Sequence, residues 1–488
     1  MGCIKGCCKY LCTCCFALIA VIAAITTVFI FVPGAERAYM KFSFEHIAPS
    51  AGWKAEQLMN VPALFAHMHR GFRQAIAEGI VECALALDSY ESPGLAPVLN
   101  PGAGGYMLGR VSYEAARAVN YDPHLKRHPD VFVFGNASQL YTDYPGYFPE
   151  PKSPLGYDTD DPMRLKMRDM WQSAAPAFKR NPPSIPDFKL PEKVTKKDFA
   201  DAVMNYNAIF GPIKDKDLVP RVVKQITAFS LFRHAFEVDL NAEELDKFLE
   251  YHKTVAPAAA PLGQSKAGGE RCGELLEFLM QKVLDGKLGP KFLEEAQKRG
   301  LDAKLKLKTL ILATTFAGLG PPGTSNFVLH TLLQIRSNPK LYVPMYKLDP
   351  EAFIVEASRL FESGGFGISS VPAPKTMTHT FRGGLTLTEN EGEPSFVVFN
   401  IAANRDPAIF GGPAKDPGYA GKFDPSRENL RRVLTFVSEL QDIEKCPDMK
   451  GCDAAPRFCF GTWLSQRIVR QAVDFLIDEF PTGVKDEM

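Results

Sequence analysis

The sequence lacks a net charge, because its 488 residues carry 56 basic and 56 acidic side chains. No block of basic residues interrupts this balance. Proteins that bind nucleic acids usually concentrate positive charge on one face. We therefore expect no nucleic-acid partner, while a hydrophobic fraction of 46% provides ample material for a large core.

Cysteine is scarce over most of the chain. Six of the eleven cysteines precede residue 16, and the other five are Cys83, Cys272, Cys446, Cys452 and Cys459. This distribution is unlike that of a secreted domain held together by disulfides. Cysteines clustered beside a hydrophobic segment are more typical of S-acylation sites.

Common motifs for metal and nucleotide binding are also missing. His67 and His69, two residues apart, cannot share one helical face, and no other histidine pair has metal-site spacing. The glycine-rich stretch 102–109 has Met107 at the third glycine of a dinucleotide fingerprint, and no convincing hydrophobic strand precedes it. We interpret this stretch as a turn, and all nine histidines as structural or solvated side chains.

Residues 10–32 form a run of 23 residues without a charge. Such a run is long enough to cross a bilayer once as a helix. We predict an N-terminal transmembrane helix within a membrane anchor at residues 1–33, followed by a single domain at 34–488. A cleaved targeting sequence is the alternative. The flanking basic residues are balanced, so the orientation of the anchor stays open.

Helical periodicity dominates the rest of the chain. The predicted helices cover residues 61–80, 163–178, 197–210, 218–252, 273–298, 304–316 and 325–335. The strand-like segments are short, at 131–134, 385–388 and 395–399. A stretch rich in alanine, proline and glycine at 255–269 is typical of a surface linker. We expect a mainly α fold with a small β component.

Cys459 is the leading candidate for a functional residue. It lies in Arg457-Phe458-Cys459-Phe460-Gly461, directly before an apolar helical run. A helix N-terminus stabilises a thiolate, and a glycine lets a planar ligand approach the backbone closely. Because a lone cysteine is more often a core residue, other motifs must decide its role.

Three charged side chains are predicted to form a buried cluster. Glu356 and Arg359 stand one helical turn apart among apolar neighbours, which places the pair inside the protein. Arg427 follows the segment that begins at Asn404 and can supply a second cation. A buried glutamate held by two arginines would fix an irregular loop.

In this order, Glu-x-x-Arg, Asn-Arg-Asp-Pro with Phe-x-Pro-x-Arg, and the cysteine loop resemble the motifs of the cytochrome P-450 superfamily. The pattern departs from the family at Cys452, where the family has Phe, and at Ala455, where it has Gly. The resemblance implies the P-450 fold and a thiolate-ligated haem b with Cys459 as the axial ligand. It also places three neighbouring residues against the haem: Arg457, Phe458 and Gly461.

The segment 158–168 resembles the entry to the C helix of the same superfamily. Pro162 replaces the usual histidine of that motif. Lys166 and Arg168 keep positive charge where the haem propionates would lie. Both residues are therefore expected to bind the cofactor.

The distal side of the haem departs most from the family. Monooxygenases carry Ala-Gly-x-Asp/Glu-Thr in a long I helix, where the acid and the threonine deliver protons to bound dioxygen. Here Gly320 and Pro321 stand at those two positions. Two prolines and three glycines should break the helix. The resemblance assigns the distal wall to Gly318, Gly320, Thr324, Ser325 and Asn326.

Loss of the acid and the alcohol favours the branch that rearranges fatty-acid hydroperoxides, which includes allene oxide synthases, hydroperoxide lyases and divinyl ether synthases. Such substrates bring their own activated oxygen and require no NADPH. Thr324, Ser325 or Asn326 would orient the hydroperoxide, unless these side chains only cap the restarting helix. One alternative is a divergent membrane-bound monooxygenase acting on a lipid or sterol with O2 and an NADPH-cytochrome reductase. A haem-binding protein without turnover is another.

The expected partners are a hydrophobic small molecule and a membrane, contacted through residues 10–32. The resemblance favours the endoplasmic reticulum over a plastid membrane as the location. Asn136 begins an Asn-Ala-Ser sequence, which is a glycosylation site only if the domain faces a lumen.

Overall fold

The computed structural model describes most of the C-terminal two thirds of the chain and separate segments before it. The described residues are 16–29, 32, 35, 94–98, 105–109, 113–121, 162–182, 185, 187–190, 194–205, 218–255, 266–319, 323–361, 366–368, 377–380, 386–389, 396–399, 403–446, 454 and 458–481.

Helices make up most of this structure. The first seven are α1 (Tyr113–Tyr121), α2 (Pro162–Ala174), α3 (Lys196–Asn205), α4 (Leu218–Phe236), α5 (Ala242–Val255), α6 (Lys266–Asp285) and α7 (Gly289–Lys298). They are followed by α8 (Ala303–Leu319), α9 (Thr324–Ser337), α10 (Pro339–Leu348), α11 (Pro350–Phe361), α12 (Pro407–Phe410), α13 (Pro417–Ala420), α14 (Leu440–Glu444) and α15 (Thr462–Leu476). The prediction of a mainly α fold with a small β component is confirmed.

Two predicted helices are each divided into two. Residues 218–252 form α4 and α5, because the chain leaves the helix at Glu237, whose φ is 54°. Residues 273–298 form α6 and α7, with a turn at Gly286 between them. A side chain at Gly286 would approach Val238 to 2.8 Å, so the turn packs closely against the α4–α5 connection. The apolar periodicity of the sequence continues through both breaks, so the sequence pattern did not reveal them.

The strands form one mixed sheet and two hairpins. The sheet has the order β1-β2-β6-β3, from β1 (Gly94–Val98), β2 (Gly105–Gly109), β3 (Phe366–Ile368) and β6 (Phe396–Phe399). β2 pairs antiparallel with β1 and parallel with β6, and β3 pairs antiparallel with β6. The hairpins are β4 (Met377–Thr380) with β5 (Thr386–Glu389), and β7 (Leu434–Thr435) with β8 (Ser438–Glu439).

The interpretation of 102–109 as a turn is wrong, because residues 105–109 form strand β2. A strand also precedes it, namely β1, which contains Pro97. Proline is tolerated there because β1 lies at the edge of the sheet. Glycine and proline lowered the apparent strand propensity of both segments. The strands predicted at 385–388 and 395–399 are present as β5 and β6.

The centre of the helical part is formed by α8 and α9. Residues 306–315 of α8 are all buried, which fits a helix that is apolar around most of its circumference. α9 packs against α4, α11 and α15, and α8 packs against α4 and α6. The pair therefore runs through the core, with α15 beside it.

Helix α1 closes the fold against the C-terminal region. Tyr113 donates from its hydroxyl to Glu439 at 2.6 Å, and Tyr121 donates to Asp442 at 2.6 Å. The first pair is separated by 326 residues along the chain. Burial raises the pKa of both tyrosines, and the carboxylate hydrogen bonds raise it further. Both phenols therefore stay protonated and act as donors.

At the N-terminus, residues 16–29 are helical. Within the described part of the chain, no helix combines the length and apolar character needed to cross a bilayer. Most of the predicted anchor, the predicted helix at 61–80 and the predicted strand at 131–134 lie outside the described residues.

His234 provides a test of the packing between α4 and α15. Its Nε2 lies 2.8 Å from Gln471 Oε1, and burial lowers its pKa to about 4, with partial compensation from that hydrogen bond. Because the unfolded chain binds this proton more readily, stability should fall as the pH drops from about 6.5 towards 4, by up to roughly 3 kcal/mol. Urea unfolding at pH 7, 5.5 and 4.5 should show a shallower pH dependence for His234→Gln.

The same slope in wild type and His234→Gln would contradict this assignment. His330, whose pKa burial also lowers to about 4, contributes a second slope of the same sign. The double variant should therefore lose more of the pH dependence than either single variant.

Candidate functional site

The predicted cluster of Glu356, Arg359 and Arg427 is present and buried. Glu356 and Arg359 are 0% exposed and Arg427 is 6% exposed. Arg359 donates to both carboxylate oxygens of Glu356, from Nε at 2.7 Å and Nη2 at 2.8 Å. Arg427 Nε donates to Glu356 Oε1 at 3.2 Å, and the backbone N–H of Asp424 donates to the same oxygen at 2.8 Å. The fork geometry gives the strong, charge-assisted form of hydrogen bond.

The two arginines also hold the irregular chain between α11 and α14. Arg359 Nη1 donates to the carbonyls of Asn404 and Ala420, both at 2.7 Å. Arg359 Nη2 and Arg427 Nη2 both donate to the carbonyl of Lys422, at 2.9 and 2.8 Å. One buried carboxylate therefore orients two guanidinium groups, which bind several backbone carbonyls of a segment with little regular structure.

A chain of hydrogen bonds connects this cluster to Cys459. The amide of Asn404 accepts from Leu434 N–H at 2.8 Å and donates to Leu434 C=O at 2.9 Å, which fixes the β7–β8 hairpin. Phe436 and Val437 form the hairpin turn with positive φ values of 53° and 69°. The carbonyl of Phe436 accepts from Cys459 N–H at 2.8 Å. The cluster thus positions the backbone of the cysteine through the hairpin.

Cys459 lies at the N-terminal end of α15 and is half-buried. Gly461 N–H points at its Sγ over 3.4 Å, and Thr462 Oγ1 donates to its carbonyl at 2.6 Å. The thiol therefore faces a backbone donor and the positive end of a helix, both of which favour the thiolate. Cys459 forms no disulfide.

Arg168 of α2 lies close to the cysteine, and Arg164 lies one helical turn before Arg168. Arg168 stacks over the ring of Phe458 at 4.7 Å, and its pKa is lowered to about 9 by burial and by repulsion from Arg164, with partial compensation from Cys459. Burial also lowers the pKa of Arg164, which is 4% exposed. Among the described residues, no carboxylate forms a salt bridge with Arg168. A buried cation of this kind requires an anionic partner.

The predicted cofactor-binding residues Lys166 and Arg168 have different surroundings, and their role in binding a cofactor stays a prediction. Lys166 is exposed, because it is two residues, or about 200° of helix rotation, from both Arg164 and Arg168. Arg164 was missed as a site residue. Its i, i+4 spacing from Arg168 is the signal that would have found it. Arg457 lies outside the described residues.

Aromatic packing supports the loop around the cysteine. Phe460 lies against Trp171 of α2, with ring centroids 5.3 Å apart, and against Phe178, at 4.9 Å. Phe458 is 6% exposed and packs in the core. The two aromatic residues that flank Cys459 thus anchor it from both sides, a role the sequence did not reveal for Phe460.

Cys446 is disulfide-bonded, and its partner lies outside the described residues. The described cysteines Cys272 and Cys459 are free.

The predicted break in the distal helix is confirmed. α8 ends at Leu319 and α9 begins at Thr324, while Gly320 and the two prolines lie outside the described residues. Gly323 is the N-cap of α9, without a side-chain cap. Thr324 and Ser325 do not cap the helix, because Thr324 donates to Ser465 and the Ser325 hydroxyl has no hydrogen-bond partner among the described residues. The chain contains no Asp or Glu from residue 303 to residue 348.

The side chains after the break have different surroundings. Thr324 donates from Oγ1 to Ser465 Oγ of α15 at 2.9 Å. Ser325 is 2% exposed, and its hydroxyl has no hydrogen-bond partner among the described residues. Asn326 is only partly buried. Thr324 is thus engaged with the helix that follows the cysteine, whereas Ser325 carries an unsatisfied buried hydroxyl.

The space that a side chain at Gly318 would occupy is filled by a neighbouring residue. A Cβ at this position would lie 1.9 Å from Leu231 Cδ1 of α4. Gly318 therefore permits close packing between α8 and α4. The assignment of Gly318 to the distal wall stays a prediction.

Replacement of Gly318 with Ala should destabilise the protein by about 1–3 kcal/mol, because overpacking forces Leu231 out of its position. The same substitution in a Leu231→Ala background should cost much less, because the clashing methyl groups are absent. Chemical unfolding of the four proteins of this double-mutant cycle measures the coupling. An equal cost in both backgrounds would show that Leu231 is not the cause.

No protein-family model and no curated protein sequence matches the chain. Solved structures are similar in fold. A myxobacterial cytochrome P450 in complex with myristic acid has a TM-score of 0.53 at 17% identity, covering 86% of this chain and 92% of its own. P450BioI in complex with an acyl carrier protein has a TM-score of 0.51 at 15% identity, covering 83% and 93%. Epothilone D-bound cytochrome P450epoK has a TM-score of 0.51 at 16% identity, covering 84% and 91%.

These similarities extend over most of each chain and show that the protein has the cytochrome P450 fold. Two separate observations therefore agree. The similarity of fold rests on the course of the backbone, and the ordered motifs rest on the identities of side chains.

Proposed function

We propose that the protein is a haem-thiolate enzyme in which Cys459 is the axial ligand of the iron. A bound haem of this type would supply cleavage of an O–O bond, promoted by electron donation from the thiolate. The preferred substrate class is a fatty-acid hydroperoxide, rearranged or cleaved without NADPH.

The residues around Cys459 fit this group. The thiol lies at a helix N-terminus with a backbone donor aimed at its sulfur, as a thiolate ligand requires. Arg168 places a half-buried cation on the face of α2 near the cysteine. A carboxylate of a haem would supply the anionic charge that its guanidinium group needs.

The distal break is the observation that supports the choice of reaction. No acidic residue occurs in or near it, and the Thr324 hydroxyl is directed to Ser465. The sequence from residue 303 to residue 348 thus offers no acid–alcohol pair to deliver protons to dioxygen, which disfavours the monooxygenase alternative. Substrates that already contain an O–O bond need no such delivery.

We infer that Ser325 orients the hydroperoxide. Its buried hydroxyl has no partner among the described residues, and an unsatisfied buried hydroxyl costs about 1–3 kcal/mol. A polar group of the substrate would satisfy it. Ser325→Ala should raise the KM for the hydroperoxide and leave the ferric haem spectrum unchanged. A purely structural role of Ser325 would change both readouts or neither.

The decisive experiment mixes purified protein with a polyunsaturated fatty-acid hydroperoxide in the absence of NADPH and reductase. Loss of the conjugated-diene absorbance and formation of rearranged or cleaved products are expected. The matched alcohol, which lacks the O–O bond, should remain unchanged and is the substrate control.

Two outcomes would replace the proposal. An unchanged hydroperoxide together with NADPH-dependent oxidation of a lipid would establish a monooxygenase. Haem binding without turnover of either kind would establish a non-catalytic haem protein.

A further inference from the structure

The β7–β8 hairpin turns through two residues that are unsuited to the backbone conformation they adopt. Phe436 and Val437 are both buried and both have a positive φ. Two-residue turns of this kind usually contain Asn-Gly, because a bulky or β-branched side chain is strained in the left-handed region. Such strain persists only where the surrounding structure holds the chain in place. The turn therefore needs support from outside the hairpin.

The turn is also in contact with the cysteine loop. The carbonyl of Phe436 accepts from the Cys459 N–H at 2.8 Å. If the turn relaxed towards a negative φ, this carbonyl would move and the N–H would lose its acceptor. The residues that hold the turn therefore also fix the backbone of Cys459.

Strand β7 is held by Asn404, whereas strand β8 is held by helix α1. Tyr113 donates from its hydroxyl to Oε1 of Glu439 at 2.6 Å, and Nε of Arg117 lies 2.8 Å from the same oxygen. Glu439 is the last residue of β8 and is 1% exposed. Hydrogen bonds to a buried, charged acceptor are the strong kind. One carboxylate thus ties the end of the hairpin to two side chains of α1.

A second tyrosine of α1 attaches the same strand. The hydroxyl of Tyr121 lies 2.9 Å from Ser438 Oγ and accepts from the Glu439 N–H at 3.2 Å. Helix α1 is itself fixed, because the backbone N–H of Tyr113 donates to Asp406 Oδ2 at 2.9 Å. Both residues of β8 are therefore held by a helix whose own position is fixed.

We infer that Tyr113 and Glu439 are positioning residues, which hold the strained turn so that the Phe436 carbonyl fixes the backbone of Cys459. Their effect reaches the cysteine through the hairpin. Insofar as this sets the orientation of an iron ligand, the role rests on the proposed function, which takes Cys459 as that ligand.

Tyr113→Phe removes the donor to Glu439 with little change of shape. In the full-length, haem-loaded protein, amide hydrogen exchange at Cys459 should become about tenfold faster, as expected when one buried hydrogen bond to a charged group is lost. Mass spectrometry with electron-transfer fragmentation measures this single amide. The reduced, CO-bound variant should also contain a fraction that lacks the thiolate band.

Tyr346→Phe is the matched control. Tyr346 is also buried and also donates to a carboxylate at 2.6 Å, but its partner Asp474 lies near the end of α15 that is remote from Cys459. This variant should lose a similar amount of thermal stability. Its Cys459 exchange rate and its thiolate band should remain those of the wild type.

A glycine in the turn should rescue the first variant. Glycine adopts a positive φ without strain, so a turn with Val437→Gly no longer depends on the support from α1. The double variant Tyr113→Phe/Val437→Gly should therefore recover slow exchange at Cys459 and the full thiolate band. A role of Tyr113 in overall stability alone would not produce rescue at this position.

Arg117→Met is a second variant that avoids a buried substitution, since the Arg117 side chain is 38% exposed. It should accelerate exchange at Cys459 by a smaller factor than Tyr113→Phe. Arg431→Met is its control, because Arg431 is 40% exposed and lies 2.8 Å from Glu444, which is outside the hairpin. This control should leave the exchange rate unchanged.

Wild-type exchange at Cys459 in both Tyr113→Phe and Arg117→Met would overturn the inference. Equal acceleration in Tyr346→Phe would overturn it too, since the effect would then be one of general stability. A wild-type protein without the thiolate band would refute the proposed function instead. The comparison of exchange rates would still decide whether Tyr113 and Glu439 position Cys459.

Discussion

Replacement of Glu356 with Gln should destabilise the protein by about 3–5 kcal/mol, because Arg359 and Arg427 would remain buried without their shared counter-charge. This is a large share of the roughly 5–15 kcal/mol that stabilises a typical domain. Several loop carbonyls depend on the orientation of the two guanidinium groups. Low soluble yield and a markedly lower thermal midpoint are therefore expected.

Glu428→Gln is the matched control, since Glu428 is exposed and only one residue from Arg427. Its effect should stay within about 0.5 kcal/mol, as for most surface substitutions. Cooperative unfolding of Glu356→Gln within 1 kcal/mol of the wild type would show that the cluster does not hold the segment in place.

Replacement of Cys459 with Ala should abolish the thiolate signature of the reduced, CO-bound protein. It should also reduce hydroperoxide conversion to background. The physical reason is that Cys459 is the thiol held at the N-terminus of α15 with a backbone donor directed at its sulfur. The Soret band of the CO complex, recorded on wild type and variant at equal haem content, provides the measurement.

Cys272→Ala is the control for this experiment, because Cys272 is also a free cysteine but is buried between helices. Burial raises the pKa of its thiol well above the ordinary value, so it stays protonated. Its variant should retain the thiolate band. A Cys459→Ala protein that kept the band would exclude Cys459 as the ligand.

The sequence predicted the structure correctly where the residues that surround a motif in the fold are also its neighbours in the sequence. Glu356 and Arg359 are flanked by apolar residues, so their burial followed from the local pattern, and Arg427 was the cation available downstream. The break between the helices that end at Leu319 and begin at Thr324 followed from proline and glycine chemistry alone. The burial of Glu356 and Arg359 and the helix break thus depend on residues within a few positions of each motif, whereas Arg427 joins the cluster from a distant position.

Other features depend on residues that are distant in the sequence, so they could not be predicted from the local sequence. The close packing of Gly318 against Leu231 of α4 joins positions that are far apart in the sequence. Lys166 and Arg168 looked equivalent in sequence, but the rotation of α2 in the fold directs one to solvent and the other towards Cys459. Strand β2 required its neighbours β1 and β6, because its own glycine content favours a turn.

The contact between α1 and the hairpin region sets a condition on the synthesis of the chain. Tyr113 emerges from the ribosome 326 residues before its partner Glu439. At about 5–20 residues per second, this interval lasts roughly 15–65 s. During that time the inner face of α1 has no C-terminal region to cover it. The nascent chain must therefore carry the inner face of this amphipathic helix, with Tyr113 and Ala116, uncovered through most of translation.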